Sequence, residues 1–96
     1  MIRHVVLIKF NPGASEENCE AAFRMLRDLK NEIPGIREWS IGKQLRKEHK
    51  HFDVAEVATF EDLESLEHFR THPAHIRVRD YIKTIATWTV VDYEFA

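Results

Sequence analysis

Ile2-Arg3-His4-Val5-Val6-Leu7-Ile8-Lys9-Phe10 decides how this chain folds. The stretch is rich in β-branched and aromatic residues and has no helix-like charge spacing, so it is predicted to be a strand. Successive side chains of a strand leave opposite faces. One face therefore carries Ile2, His4, Val6, Ile8 and Phe10, and the other Arg3, Val5, Leu7 and Lys9. Both faces are apolar at their centre, so both call for a cover.

Outward from this strand, Asn11-Pro12-Gly13 is a turn. Ser15 is placed to cap a helix, with Glu16 and Glu17 at the positive end of its dipole. Cys19, Ala22, Phe23, Leu26, Leu29 and Ile33 recur at helical spacing and form one apolar stripe, and Pro34-Gly35 ends it. Residues 36–43 alternate as a second strand, with Trp39 and Ile41 on one face beside Arg37 and Lys43. Residues 44–50 are polar and basic and read as an exposed hairpin loop. Residues 52–60 form a third strand, with Phe52, Val54, Glu56, Ala58 and Phe60 on one face and Asp53, Ala55, Val57 and Thr59 on the other. Asp62 caps a short helix carrying Leu63, Leu66 and Phe69. That helix stops at His72-Pro73, because a residue before proline avoids the α region. Pro73 suits the first position of a new helix, predicted to run to about Ile82, and residues 86–95 close the chain as a fourth strand.

The order β-α-β-β-α-β with right-handed crossovers predicts an α+β, ferredoxin-like subunit: a four-stranded antiparallel sheet with helices on one face. All of residues 1–96 are assigned to one domain. The helix-free face offers Val5, Leu7, Ala55 and Val57, and Trp88 and Val90 are assigned to it as well. So apolar a face predicts a second copy packed against it, making a homodimer that pairs as an α/β barrel. Size argues the same way. A chain of 96 residues buries only about 60–65% of its unfolded surface, and its single cysteine, Cys19, excludes an internal disulfide or a Cys-based zinc cluster.

Partner classes narrow by charge. Lys and Arg number 14 against 16 Asp and Glu, a net charge of −2, which gives no electrostatic reason for nucleic acid or an anionic membrane. The apolar run Val5 to Ile8 is far short of the roughly 20 residues of a spanning helix. The expected setting is cytoplasmic, where a lone thiol stays reduced.

The unusual count is six histidines. His4, on the helix-side face, needs a polar partner, which Glu56 supplies unless a bulge turns Glu56 outward. His75 opens the helix after Pro73. It is either a general base, since imidazole titrates near neutral pH, or a structural group bonded to a backbone carbonyl. His72 is the candidate cap. His68, His72 and His75 are metal-ligand types, but Pro73 breaks their common helix face and no zinc signature is present, so no metal site is assigned. His49 and His51 fall in the polar loop. Cys19 lies on an apolar stripe, where a thiol is usually inert. No cofactor motif is present, since Gly13, Gly35 and Gly42 are isolated.

Four segments resemble the stress-responsive A/B barrel domain (Dabb) family. They are the opening strand, Ile33-Pro34-Gly35-Ile36, Thr59-Phe60-Glu61-Asp62 followed by His72-Pro73-Ala74-His75, and Val91-Asp92-Tyr93. The resemblance implies a dimeric α+β barrel and a family of mixed function. Some members are plant stress-response proteins with very stable oligomers, and one is a cofactor-free cyclase of a linear polyketide. In that cyclase the second histidine of the His-Pro-Ala-His stretch is the base, which by position is His75. A tyrosine three residues before the first histidine assists there; here the residue is Phe69.

The expected pocket lies between sheet and helices. His75 is its candidate base and His4 its candidate support for an enolate, with Val6, Ile8, Phe23, Leu26, Trp39, Glu56 and Phe69 as lining. Its expected ligand is a small apolar, aromatic or polyketide-like molecule. The competing expectation is a non-catalytic stress or assembly protein whose histidines are structural.

Overall fold

The computed structural model describes residues 1–48 and 51–96. His49 and Lys50, assigned to the polar loop, lie outside them. Seven elements follow in order: β1 (Ile2–Phe10), α1 (Glu16–Glu32), β2 (Glu38–Lys43), β3 (Val54–Phe60), α2 (Leu63–Thr71), α3 (Pro73–Ile82) and β4 (Ala86–Glu94). The strands form one antiparallel sheet in the order β2-β3-β1-β4, the ferredoxin-like topology.

Local chemistry sets the helix ends. Ser15 Oγ accepts from the Asn18 backbone N–H at 3.0 Å and caps α1. Asp62 Oδ1 does the same for Ser65 N–H at 2.8 Å, which holds the Asp62 carboxyl below its usual range. Gly35, at φ 94°, makes the turn out of α1, a conformation that side chains with a Cβ resist. Replacing Ser15 by alanine is expected to cost about 1 kcal/mol, a drop of roughly 4–8 °C in melting temperature for a domain of this size. A thermal melt followed by circular dichroism checks this, and an unchanged Tm would show that tertiary packing alone holds α1.

The core lies between sheet and helices. Ile2, Val6 and Ile8 from β1 and Val54, Ala58 and Phe60 from β3 meet Ala22, Leu26 and Leu29 of α1, Leu66 and Phe69 of α2, and Val78 and Ile82 of α3. Leu63 does not join them; it is 68% exposed.

Two strands begin later than the sequence suggests. At β2, only the Arg37 N–H to Thr59 carbonyl bond (2.8 Å) extends the pairing before Glu38. At β3, Asp53 turns its carboxylate back onto the Phe10 N–H at 2.8 Å, so the regular ladder starts at Val54.

One assignment of faces is overturned. Trp88 and Val90 stand opposite Ile8 and Val6 in the β1–β4 register, so they lie on the helix side. The free face of β4 instead carries Thr87, Thr89, Val91 and Tyr93, opposite Lys9, Leu7, Val5 and Arg3. A strand slipped by one residue exchanges its faces completely, and no tight hairpin joins β4 to β1 to fix the register in advance.

A histidine-lined cavity between helices and sheet

The break between α2 and α3 builds the first half of the site. Ending α2 leaves the Arg70 carbonyl without its usual partner, and starting α3 leaves the Ala74 N–H without an acceptor. The two histidines of His72-Pro73-Ala74-His75 satisfy one each. His72 Nδ1 accepts from Ala74 N–H at 3.0 Å, and His75 Nδ1 lies 3.0 Å from the Arg70 carbonyl. A carbonyl only accepts, so His75 Nδ1 is the donor and the neutral ring keeps its lone pair at Nε2. No other described residue bonds that nitrogen.

Burial drives the His75 pKa down to about 4, against the helping bond to Arg70, and the positive charges of His4, Arg79 and Arg70 push the same way. The ring also sits at the N-terminus of α3, where the helix dipole disfavours a cation. His75 is therefore neutral throughout the physiological range.

The sheet builds the second half. His4 is 4% exposed and Glu56, on the adjacent strand, 3%. His4 Nε2 lies 3.4 Å from Glu56 Oε2, and Nδ1 lies 2.5 Å from Asp92 Oδ1 of β4. An acceptor at each nitrogen favours the protonated ring. Burial alone would lower its pKa, but the two carboxylates outweigh burial and raise it above 6.5. The two imidazoles of the site are thus shifted in opposite directions.

That opposition gives stability a defined pH dependence. His75 is depressed in the folded state, so the unfolded chain binds its proton first and stability falls as pH drops from about 6.5 toward 4. His4 is raised, so its contribution is complete below about 6.5 and is lost as pH rises through its folded pKa. Melting temperature is expected to decline between pH 6.5 and 5, and less steeply in His75→Gln. Equal slopes in the two proteins would remove His75 as the cause.

Between these halves lies a partly open cavity of about 370 Å³. His4 and Glu56 line it, as do His75, Val6, Ile8 and Leu26. Three expected lining residues sit elsewhere. Phe69 is fully buried beneath the cavity, with its ring centroid 4.6 Å from His75 and 5.8 Å from His4. Trp39 packs on the far side of Phe69 at 5.8 Å. Phe23 lines a separate recess under Lys43, whose ammonium lies 4.8 Å from the ring. Phe69 packs against Trp39 and Phe60, and the cavity opens mainly over β1 and β4.

Sequence reasoning missed Asp92, Arg70, Arg79, Trp88 and Val90, all of which line the cavity. The alternation Trp88, Val90, Asp92 was a usable signal, but only once the β4 register is known. His68 stands edge-to-face with His72 at 5.7 Å, and among the described residues no three His, Cys, Asp or Glu side chains are grouped to hold a metal ion. Cys19 is half-buried with its thiol pKa pushed up by burial, which suits an unreactive side chain. No helix among the described residues is long and apolar enough to cross a membrane.

Comparison with known proteins places this geometry. The family model for the stress responsive A/B barrel domain matches residues 2–95. An uncharacterised protein of Streptomyces coelicolor is 32% identical, covering 99% of this chain and 100% of that protein. Olivetolic acid cyclase from Cannabis sativa is 30% identical, covering 86% of this chain and 84% of the cyclase. Among solved structures, a dimeric ferredoxin-like protein from Thermobifida fusca superimposes with a TM-score of 0.87 at 22% identity, covering 98% of this chain and 90% of that one.

Proposed function

The chain belongs to the stress responsive A/B barrel domain family, and from that premise we propose that it is a homodimer whose subunits each bind a small, largely apolar carbonyl compound, with His75 as the base. The observation that carries this reading is the cavity itself. It brings a neutral imidazole with a free Nε2 to about 370 Å³ of space lined by apolar and polar groups in equal measure. In the proposed step, Nε2 takes a proton from the carbon beside the carbonyl. The C–H electron pair becomes a carbon–carbon double bond, the carbonyl π pair moves to oxygen to give an enolate, and the proton is later returned to carbon. No cofactor is needed for that step, and olivetolic acid cyclase is the relative whose named reaction class it fits.

His4 does not contact the substrate in this scheme, because both its nitrogens are held by carboxylates. It is a positioning residue that ties β1, β3 and β4 together under the cavity. A second reading, binding without turnover, is favoured by Phe69: an apolar ring packs against the base and offers no acid beside it.

The proposed dimer uses the free sheet face. Val5, Leu7, Ala55, Val57 and Val91 form its apolar centre, and Val91 is 56% exposed in the single chain. The proposed setting is cytoplasmic, where a lone cysteine such as Cys19 stays reduced.

The test is deuterium uptake beside the carbonyl of 4-phenyl-2-butanone in D₂O, with the mass of the protein read on the same sample by native mass spectrometry. Exchange accelerated by the wild type and not by His75→Ala supports the base, and a mass of twice 11.3 kDa supports the dimer. Retained ligand without exchange would favour the second reading. Neither binding nor exchange would overturn both, and a folded monomer would overturn the dimer.

A further inference from the structure

We propose that the ligand of this cavity carries a carboxylate, seated against Arg79 beside His75, with its apolar body extending toward Ile8 and Trp88. The proposal rests on the reading of the cavity as a small-molecule site, and it adds a charge to that ligand.

The cavity has two chemically distinct ends. Along the β1–β4 pairs the floor runs from Ile8 and Trp88, through Val6 and Val90, to His4 and Asp92. Along α3 the roof runs from His75 through Val78 and Arg79 to Ile82. His75 and Arg79 are four residues apart on a helix and therefore share one face. An elongated ligand with one polar terminus fits this gradient in one direction only.

The polar end holds two arginines, Arg70 and Arg79, beside a His4 cluster in which one imidazole sits between two carboxylates. The charge of His4 is already shared between Glu56 and Asp92. Arg70 meets Glu67 at 2.8 Å, in a pair that is also exposed but closer. Among the described residues Arg79 has only a 3.4 Å contact to its sequence neighbour Asp80, and both side chains are about half exposed. Such a pair contributes little, so its guanidinium is open to a better partner. A carboxylate is that partner, because it can take two parallel N–H···O bonds from one guanidinium. Burial is the main reason His75 is weakly basic, and the same negative charge would offset the smaller contribution of the nearby positive charges.

The experiment compares 4-phenylbutanoate with 4-phenylbutanamide, its neutral near-isostere, by isothermal titration calorimetry at pH 7.5. The wild type is expected to bind the acid about ten-fold more tightly. Arg79→Gln is expected to erase the preference and keep the affinity for the amide. Arg77→Gln, which removes a partner of Glu32 (2.9 Å) from outside the cavity lining, is expected to keep the preference. Equal binding of acid and amide by the wild type would overturn the carboxylate and leave the small-molecule site standing. A preference that survives Arg79→Gln, or that Arg77→Gln removes as well, would overturn the assignment to Arg79. Binding of neither probe would overturn the site together with its charge.

Discussion

His4→Leu is expected to destabilise the protein by about 3–5 kcal/mol, the cost of leaving a buried charge without its partner. The stranded group is Glu56, which is 3% exposed and faces His4 Nε2 at 3.4 Å. Asp92 is the lesser concern, since its side chain is 34% exposed and water can replace the lost contact. Against a total stability of about 5–15 kcal/mol for an ordinary domain, this loss brings the chain close to unfolding at ambient temperature. The double variant His4→Leu with Glu56→Leu is expected to recover most of it, because exchanging a whole buried ion pair for apolar groups is often near neutral. Urea denaturation of the two single variants and the double variant gives the coupling directly. Additive losses would show that the two residues do not act as a pair.

Phe69→Ala is expected to cost a similar amount, about 3–5 kcal/mol, for a different reason. Its ring is fully buried and stands against Phe60 at 5.1 Å, Trp39 at 5.8 Å, His4 at 5.8 Å and His75 at 4.6 Å between centroids. Removing it opens a void under both imidazoles at once. The predicted signature is therefore double: a lower midpoint in urea, and loss of binding in the cavity that His4 and His75 line. A variant that keeps its midpoint would mean that the neighbouring rings collapse into the space. Phe69→Leu, which keeps most of the volume, is expected to fall between the two and checks that packing is the cause.

The elements themselves were legible because their signals are local. Ser15, Asp62, Pro34-Gly35 and His72-Pro73 mark helix ends within a few residues of where they occur. The alternation in residues 2–10 and 54–60 separates a buried face from an exposed one without reference to any distant part of the chain. The His4–Glu56 pairing was legible for a related reason: both fall on the helix-side face of strands that the topology sets side by side. The role of His72 as a cap follows from its place beside Pro73 alone.

The remainder of the site was not local. Asp92 reaches His4 across 88 positions in the chain. Its alternation with Val90 and Trp88 says only that the three share a face, and which face depends on how β4 slides against β1. Phe23 and Trp39 belong to apolar stripes that do face the helix–sheet interior, yet Phe69 occupies the space between Trp39 and the cavity. A periodic pattern reports direction and carries no information about what else fills the same volume.

By itself, then, the sequence determined the order of elements, their boundaries to within about two residues, the two-faced sheet, and the inward position of His4, while the direction of Glu56 stayed open to a bulge. Propensity, capping and periodicity act within a turn or a strand, and each is written in consecutive residues. Only the tertiary structure decided the register of β4, the third member of the His4 cluster, the place of the cavity over β1 and β4, and the opposite pKa shifts of two histidines. Those depend on desolvation and on which groups meet across the sheet, and both are properties of the packed volume.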